Sequence, residues 1–404
     1  MSEPGDLLRT LREEKGLSIN KLAVKANYNK GQISKIENGL RPLNADMARH
    51  LDRILETDGR LFRAVNPPEP VREEPPAPDD DEPWSLTFDG TGSVQMGSGP
   101  FAAANILPNS WMVDEVVDQF DIHFETLRAT GHRASPAFVI PHLLLAFNQV
   151  KFLHRETAAP ELTRIAYRIA EYTGWMCQEA GKLDMARTWT AMAVTLATKV
   201  GDVALRGYAL VRDAEMSFYG GSPYKIITYA QRADADPGAP AAVRSLAAQR
   251  EAEGHAILGD QTACMAALEN AQRWHDEAVR EAGQHFGTTS LADPIATSRG
   301  WSMLHFDPDE SAGLLTKAIA GIPATSVRSR VRFGVRLARA TFLRDDIDGA
   351  CALLTDLLDD LRRTDSATVR FDLHSLADTF TRHRNAPAVR DLRPRLNALL
   401  HVQD

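Results

Sequence analysis

Apolar positions return at helical spacing in four short stretches of residues 1–65, and the residues between them are ones that start and stop helices. Leu8 and Leu11 mark an amphipathic helix over Asp6–Lys15, and Ile19, Leu22, Ala23 and Ala26 mark a second. Ser18 is a favourable N-cap for the second helix, and Leu17 and Leu22 flank it at the N′ and N4 spacing of a hydrophobic staple. Asn27-Tyr28-Asn29 breaks the pattern. Asn29 and Gln32 then offer a capping-box pair for a third helix, with Ile33 and Ile36 on its inner side. Asn38-Gly39 supplies a left-handed stop, and Asn44–Leu55 reads as a fourth helix. These stretches predict a compact bundle with a core of Leu8, Leu11, Leu22, Ile33, Ile36, Leu51 and Ile54.

With Ile33 and Ile36 turned inward, Lys30, Gly31, Gln32, Ser34 and Lys35 fall on the leading and outer surface of the third helix. Small, polar and basic residues thus stand where base edges and phosphates of a duplex would lie. A merely solvated helix face has a similar composition, but here the cap, staple and stop signals agree in register. Residues 5–65 resemble the helix-turn-helix of the Cro and phage-repressor superfamily, often called the XRE family. The resemblance implies that Lys30, Gly31, Ser34 and Lys35 read bases in the major groove and that Gln32, Asn38 and Arg41 hold the phosphate backbone. Two positions depart from the family. Ile19 stands where a Gln commonly donates to a phosphate, with Asn20 or Lys21 as substitutes. Gly31 has no side chain to read with, which implies looser readout or a close backbone approach.

The net charge of −8 argues by itself against a nucleic-acid partner, but it is unevenly spread. Residues 1–65 carry twelve Lys and Arg against nine Asp and Glu, and five of the ten lysines lie between Lys15 and Lys35. Phosphate binding responds to local cations that release counterions, so a basic face suffices on an acidic protein. The remaining 339 residues carry −11 and are not expected to touch DNA.

Residues 66–83, NPPEPVREEPPAPDDDEP, hold seven acids and one Arg, with Val71 as their one large apolar residue. Such a stretch cannot bury a core and reads as a linker. It serves either as a solubilising spacer or as an electrostatic competitor for the basic head. At polyproline geometry it reaches up to roughly 55 Å, so the head need not pack on the rest. Trp84–Gly99 alternates apolar and polar around Asp89-Gly90, as a small β-hairpin would. Its Gly-x-Gly pattern lacks the strand, loop and following Lys-Ser/Thr of a nucleotide-binding loop.

From about Ser110 the chain is rich in Ala, Leu and Arg, and a weak repeat is visible. Short turns ending at Ala186, Ile226, Cys264, Ala312, Ala350 and Val389 each open a new helix, at steps of 38 to 40 residues with one of 48 where Glu277–Asp293 is inserted. A repeat of that length built from two helices implies an α-solenoid, because one pair cannot bury its own apolar face. Cys264, Leu268 and Ala271, then Ala186, Thr190 and Ala193, then Ala350, Leu354 and Leu357, resemble the small-large-small second helix of tetratricopeptide repeats. Two further helices, Trp111–Ala129 and Pro136–Arg155, are expected to cap the N-terminal end, for about seven pairs in all.

No run of eighteen or more apolar residues and no signal peptide is evident, so a cytoplasmic protein without membrane contact is expected. Cys177, Cys264 and Cys351 are odd in number, widely separated and within helices, as buried apolar fillers are. The twelve histidines show no metal-ligand spacing, and no Gly-x-Ser-x-Gly elbow occurs. Asp307 and Asp309, or Asp345 and Asp346, fall in turns where carboxylates cap helices. No enzyme, cofactor or metal is therefore expected. Arg outnumbers Lys by 36 to 10, a usage that suits a GC-rich bacterial genome.

The expectation is an all-α protein: a Cro-type helix-turn-helix bundle over 1–65, an acidic linker over 66–83, a hairpin and connector over 84–109 and a tetratricopeptide-like solenoid over 110–404. This plan resembles Gram-positive regulators that respond to short signalling peptides. The resemblance implies a double-stranded DNA operator, a homodimer and a peptide or small-molecule effector held on the concave surface. Arg168, Tyr172, Tyr208, Arg212, Arg250, Arg299, Arg332 and Arg336 are the candidates to hold it, accompanied by Tyr167 and Arg339. The alternative is a DNA-tethered scaffold whose solenoid docks a protein.

Overall fold

The computed structural model describes residues 4–57, 59–65, 84–88, 94–98, 113–281, 286–287 and 290–400. The N-terminal head consists of α1 (Pro4–Glu14), α2 (Ile19–Lys25), α3 (Lys30–Glu37), α4 (Ala45–Leu55) and α5 (Arg60–Val65). Leu8, Leu11, Leu22, Ile33, Ile36 and Leu51 are buried in one cluster, with Ile54 half-buried at its edge. Three of these helix starts are satisfied locally. Ser18 Oγ accepts from the Lys21 amide at 3.2 Å, Asn29 Oδ1 from Gly31 at 2.8 Å and Asn44 Oδ1 from Met47 at 2.8 Å. The capping box at α3 is not closed, however. Gln32 Nε2 turns toward Met47 Sδ at 3.6 Å, because the side chain of Gln32 lies over the core edge. Buried Asp52 of α4 supplies a cap the sequence reading did not anticipate, accepting from the Leu61 and Phe62 amides of α5 at 2.9 Å each.

The expected linker, 66–83, lies outside the described residues. Strands β1 (Trp84–Phe88) and β2 (Val94–Ser98) pair antiparallel, with Leu86 opposite Met96; the intervening 89–93 and the connector 99–112 also lie outside the described residues.

The rest is helical: α6 (Val113–Gly131), α7 (Pro136–Thr157), α8 (Pro160–Glu179), α9 (Leu183–Lys199), α10 (Ala204–Tyr219), α11 (Pro223–Asp234), α12 (Ala241–Leu258) and α13 (Gln261–Glu281). Then follow α14 (Pro294–Met303), α15 (Pro308–Gly321), α16 (Val327–Leu343), α17 (Ile347–Thr364), α18 (Ala367–His374), α19 (Ala377–Arg382) and α20 (Pro387–Leu400). The repeated turns open α9, α11, α13, α15, α17 and α20, and neighbours pack as pairs. Asp307 caps α15 by accepting from the Asp309 and Glu310 amides at 3.0 Å each, and Asp346 caps α17 by accepting from Gly349 at 2.9 Å. Small residues set the spacing within pairs: a Cβ on Gly174 of α8 would stand 3.1 Å from the Ala186 carbonyl oxygen of α9. Ala186, Ala193, Cys264, Ala271 and Ala350 are all buried at such contacts, while Leu357 is half-buried.

Helix α7 differs from the expectation about apolar runs. Its stretch Pro136–Arg155 has a mean hydropathy of 1.3 and is long and apolar enough to cross a membrane by length and composition, yet 44% of it is buried inside the fold. Val139, Leu143, Phe147 and Val150 are core residues shared with α6, α8 and α9.

The helical body curls until its two halves meet. Glu179, at the end of α8 and fully buried, accepts from Arg328 Nη1 and Arg332 Nη2 of α16 at 2.9 Å each. It also accepts from Ser366 Oγ at 2.6 Å and Thr368 Oγ1 at 2.9 Å, at the start of α18. Arg328 further donates to the carbonyl oxygens of Gly131 and Ala134 at the α6–α7 turn, at 3.0 and 2.5 Å. Burial alone would raise the Glu179 carboxyl, but Arg332, Arg328 and the two hydroxyls outweigh it and hold the group at about 2.

The head packs on this body rather than standing clear of it. Ile257 and Leu258, at the end of α12, join the head's core cluster, and Gly59 sits so close that a Cβ on it would stand 2.8 Å from the Leu258 carbonyl oxygen. Arg382 of α19 contacts the His50 ring at 3.1 Å, and Arg339 of α16 lies 3.8 Å from Asp46. The apolar end of α12 explains the difference: a linker's reach says how far the head can go, not which surface it covers.

Removing one partner of a buried ion pair leaves the other charge uncompensated, so Glu179→Ala is expected to cost about 3–5 kcal/mol in urea denaturation. The wild-type carboxyl titrates lower folded than unfolded, so its stabilisation is present above about 4.5 and is lost as pH falls toward about 2. A Glu179→Ala protein should lack that acid-dependent component.

Candidate nucleic-acid interface and central cavity

The head sets the orientation of α3 with a buried clamp. Arg12 of α1 grips Glu37 of α3 through two bonds, Nε to Oε1 at 2.6 Å and Nη2 to Oε2 at 2.8 Å, and donates from Nη1 to the Leu17 carbonyl oxygen at 2.8 Å. The hydrogen bond to Glu37 holds the Arg12 guanidinium above its ordinary value. Arg9 adds a bond from Nη2 to the Glu37 carbonyl oxygen at 2.8 Å. None of these three residues stood out in the sequence. The available signal was an acid, Glu37, directly beside the inward-facing Ile36.

Lys30, Gly31, Lys35, Asn38 and Arg41 are exposed, and Ser34 is half-exposed. Two of the expected phosphate-holding residues have internal commitments. Gln32 is half-buried against Met47. Asn38 donates from Nδ2 to the Ser34 carbonyl oxygen at 2.8 Å and accepts at Oδ1 from Arg9 Nη2 at 2.8 Å, so it caps α3. Val24 of α2 and Leu40 just past α3, 74% and 78% exposed, are large apolar side chains that sequence reading left aside.

The eight ligand candidates divide among different environments. Arg168, Tyr172, Tyr208, Arg212 and Arg332 line one cavity of about 400 Å³ enclosed by the curl of the body, with Tyr167, Trp175 and Arg328. Arg250, Arg336 and again Arg332 line a neighbouring cavity of about 70 Å³. Arg299 lines neither and pairs with Glu310 at 2.6 Å. The insertion before α14 brings Phe286 against Tyr208, with ring centroids 5.0 Å apart, so it supplies a wall of the larger cavity.

Most of these arginines are already paired. Arg168 bonds Asp121 and Glu125 of α6 and lies 4.9 Å from the Phe124 ring centroid. Arg250 pairs with Glu253 at 2.7 Å, Arg336 with Asp372 at 3.0 Å, and Arg332 belongs to the Glu179 clamp. Arg212 is different. Only 1% exposed, it gives Nη1 to Glu215, while its Nε and Nη2 are buried with no partner among the described residues. Burial pushes the neighbouring Glu171 carboxyl up, against the pull of Arg212 and a hydrogen bond from Tyr208. Burial, then Arg128 and Arg328, push the His132 imidazole down, so it is neutral near pH 7. The wall therefore presents buried, under-satisfied donors among aromatic rings, a setting for an anionic group.

Residues 4–65 match the helix-turn-helix domain family. The chain matches no curated protein and no solved structure. It thus carries an N-terminal helix-turn-helix domain followed by a large all-helical region of packed helix pairs.

Breaking the buried Arg12–Glu37 pair from either side is expected to cost about 3–5 kcal/mol. Glu37→Ala should therefore abolish binding to any duplex by loosening α3, visible first as lost protection of α1 and α3 amides in hydrogen exchange.

Proposed function

We propose that the protein is a sequence-specific DNA-binding transcriptional regulator of the XRE type, cytoplasmic and homodimeric, without enzymatic activity, whose tetratricopeptide-like body senses a small anionic ligand or signalling peptide. The match of residues 4–65 to helix-turn-helix domains supports the DNA-binding part, together with the solvent-facing row of Lys30, Gly31, Ser34, Lys35 and Arg41. Lys30, Lys35 and Arg41 supply the cations, and Gly31 allows close backbone approach.

The observation that carries the sensing part is Arg212, which lines a cavity of about 400 Å³ and whose Nε and Nη2 are buried without partners among the described residues. Leaving such donors unpaired costs about 1–3 kcal/mol or more each, which a carboxylate or phosphate would recover on binding. A cavity of this size, walled by arginine and aromatic residues, suits a small ligand or a peptide end rather than a folded protein, which favours sensing over the scaffold alternative. Dimerisation is supported by Phe138 and Leu145, 57% and 40% exposed and two turns apart on α7. One head makes few phosphate contacts, and two would span half-sites about 34 Å apart or a multiple of it.

Lys35→Ala and Ser34→Ala should each weaken operator binding by about 1–3 kcal/mol with little effect on random duplex, whereas Arg41→Ala should weaken all sequences alike and flatten the salt dependence. Unchanged operator affinity in all three sinks the assignment of α3. For sensing, size-fractionated cell extract is titrated against operator affinity. A shift is expected from fractions of peptide size or smaller and should vanish in Arg212→Met; a shift from larger fractions alone supports the scaffold reading instead.

A further inference from the structure

A second cavity, of about 370 Å³, lies where the head meets the body, and its charges are unbalanced. The head contributes Arg49, His50 and Arg53 from α4; the body contributes Arg339 from α16 and Arg382 from α19, with His305 beyond α14. The carboxylates at its edge are already committed. Asp46 lies 3.0 Å from Arg49 and 3.8 Å from Arg339, and Glu56 pairs with Lys15 at 3.0 Å. Asp52 accepts the Leu61 and Phe62 amides. Arg53, open to solvent at the rim, has no carboxylate within ion-pair distance among the described residues. Arg49 keeps a buried Nε without a partner among the described residues while its guanidinium lies 4.6 Å from the Phe62 ring centroid.

The neighbouring imidazoles add no counter-charge. Burial and then Arg382 hold His50 at about 4, and burial followed by Arg49, Arg339 and Arg53 holds His305 well below its ordinary value. Both rings are neutral near pH 7, and among the described residues Arg49, Arg53 and Arg339 face the seam with Asp46 as the one carboxylate shared between head and body. Like charges gathered from the head and the body oppose docking unless a counter-charge enters.

We propose that this seam binds a phosphate-bearing small molecule, which Arg49 and Arg53 of the head and Arg339 of the body grip from both sides and which thereby fixes the head on the body. Guanidinium forks match phosphate oxygens in pairs, and a diphosphate offers enough charge and oxygens to engage head and body at once. The site is distinct from the central cavity, and its existence does not depend on what that cavity holds. Docking leaves Lys30, Gly31 and Lys35 exposed, so an occupied seam presents α3 in one fixed orientation.

The test uses the full-length chain and inorganic pyrophosphate at constant ionic strength, with calorimetry for binding and hydrogen exchange for docking. One pyrophosphate per chain is expected, with slower exchange in residues 49–62. Arg53→Gln and Arg339→Gln should each weaken binding by about tenfold or more, since each removes a charged fork. Arg299→Gln, at a residue that lines none of these cavities, should leave it unchanged, and Arg212→Met distinguishes the central cavity from the seam. Gly59→Ala, whose new methyl would meet the Leu258 carbonyl oxygen, should lose both binding and protection. Absence of saturable binding, loss confined to Arg212→Met, or full affinity in both seam variants overturns the proposal. Equal affinity for citrate overturns its phosphate specificity.

Discussion

Everything in the body depends on one buried carboxylate. Glu179 ends α8, yet its partners lie on α16 and α18, 149 to 189 residues later in the chain. A stack of helix pairs has no intrinsic reason to stop curving, since each pair contacts only its neighbours. The Glu179 clamp supplies that reason. An ion removed from water at several kcal/mol is tolerated only where every lone pair is met, and two guanidiniums with two hydroxyls meet them. The curvature at which all four donors converge is therefore strongly preferred over any other.

Closure creates the central cavity and decides what it can do. Arg328 and Arg332 line its wall, but both also hold Glu179, so their charge is largely spent on the clamp. Arg168 is likewise held by α6. What the cavity retains for a ligand is the surplus at Arg212 and the aromatic faces of Tyr172, Trp175 and Phe286. A ligand that draws on Arg332 competes with Glu179, and the strength of the clamp limits how far it can succeed.

Local features were legible in the sequence because they are enforced locally. Ser18, Asn29, Asn44, Asp307 and Asp346 cap the helices they precede, since a cap needs only its own next few amides. The turns that open α9, α11 and α13 were visible for the same reason. Pairings across the curl were not. Nothing near Arg212 says that it keeps free donors while Arg299, of the same type on a similar helix, is paired at the periphery. That difference arises from curvature summed over several pairs. Asn38 and Gln32 show the same limit at short range: their spacing matches phosphate-holding positions, but Arg9 and Met47, from other helices, claim their polar groups. The docking of the head on α12 was hidden for a further reason, because an acidic Pro-rich stretch reports reach and not contact.

Helix α16 is where these constraints meet. Arg328, Arg332, Arg336 and Arg339 follow one another at spacings of four, four and three, so they form a stripe along one side of the helix. The stripe begins in the Glu179 clamp and the central cavity, passes the smaller cavity at Arg336 and ends at the seam, where Arg339 approaches Asp46 of the head. At about 1.5 Å per residue the eleven steps from Arg328 to Arg339 span about 16 Å of continuous helix. A helix bends little over that length, so a displacement at its cavity end is carried to the seam as a shift of similar size. An ion pair at 3.8 Å is sensitive to shifts of that order. The same helix that closes the body therefore also sets the position of Arg339 beneath the head, beside the α12 and α19 contacts on which the head rests.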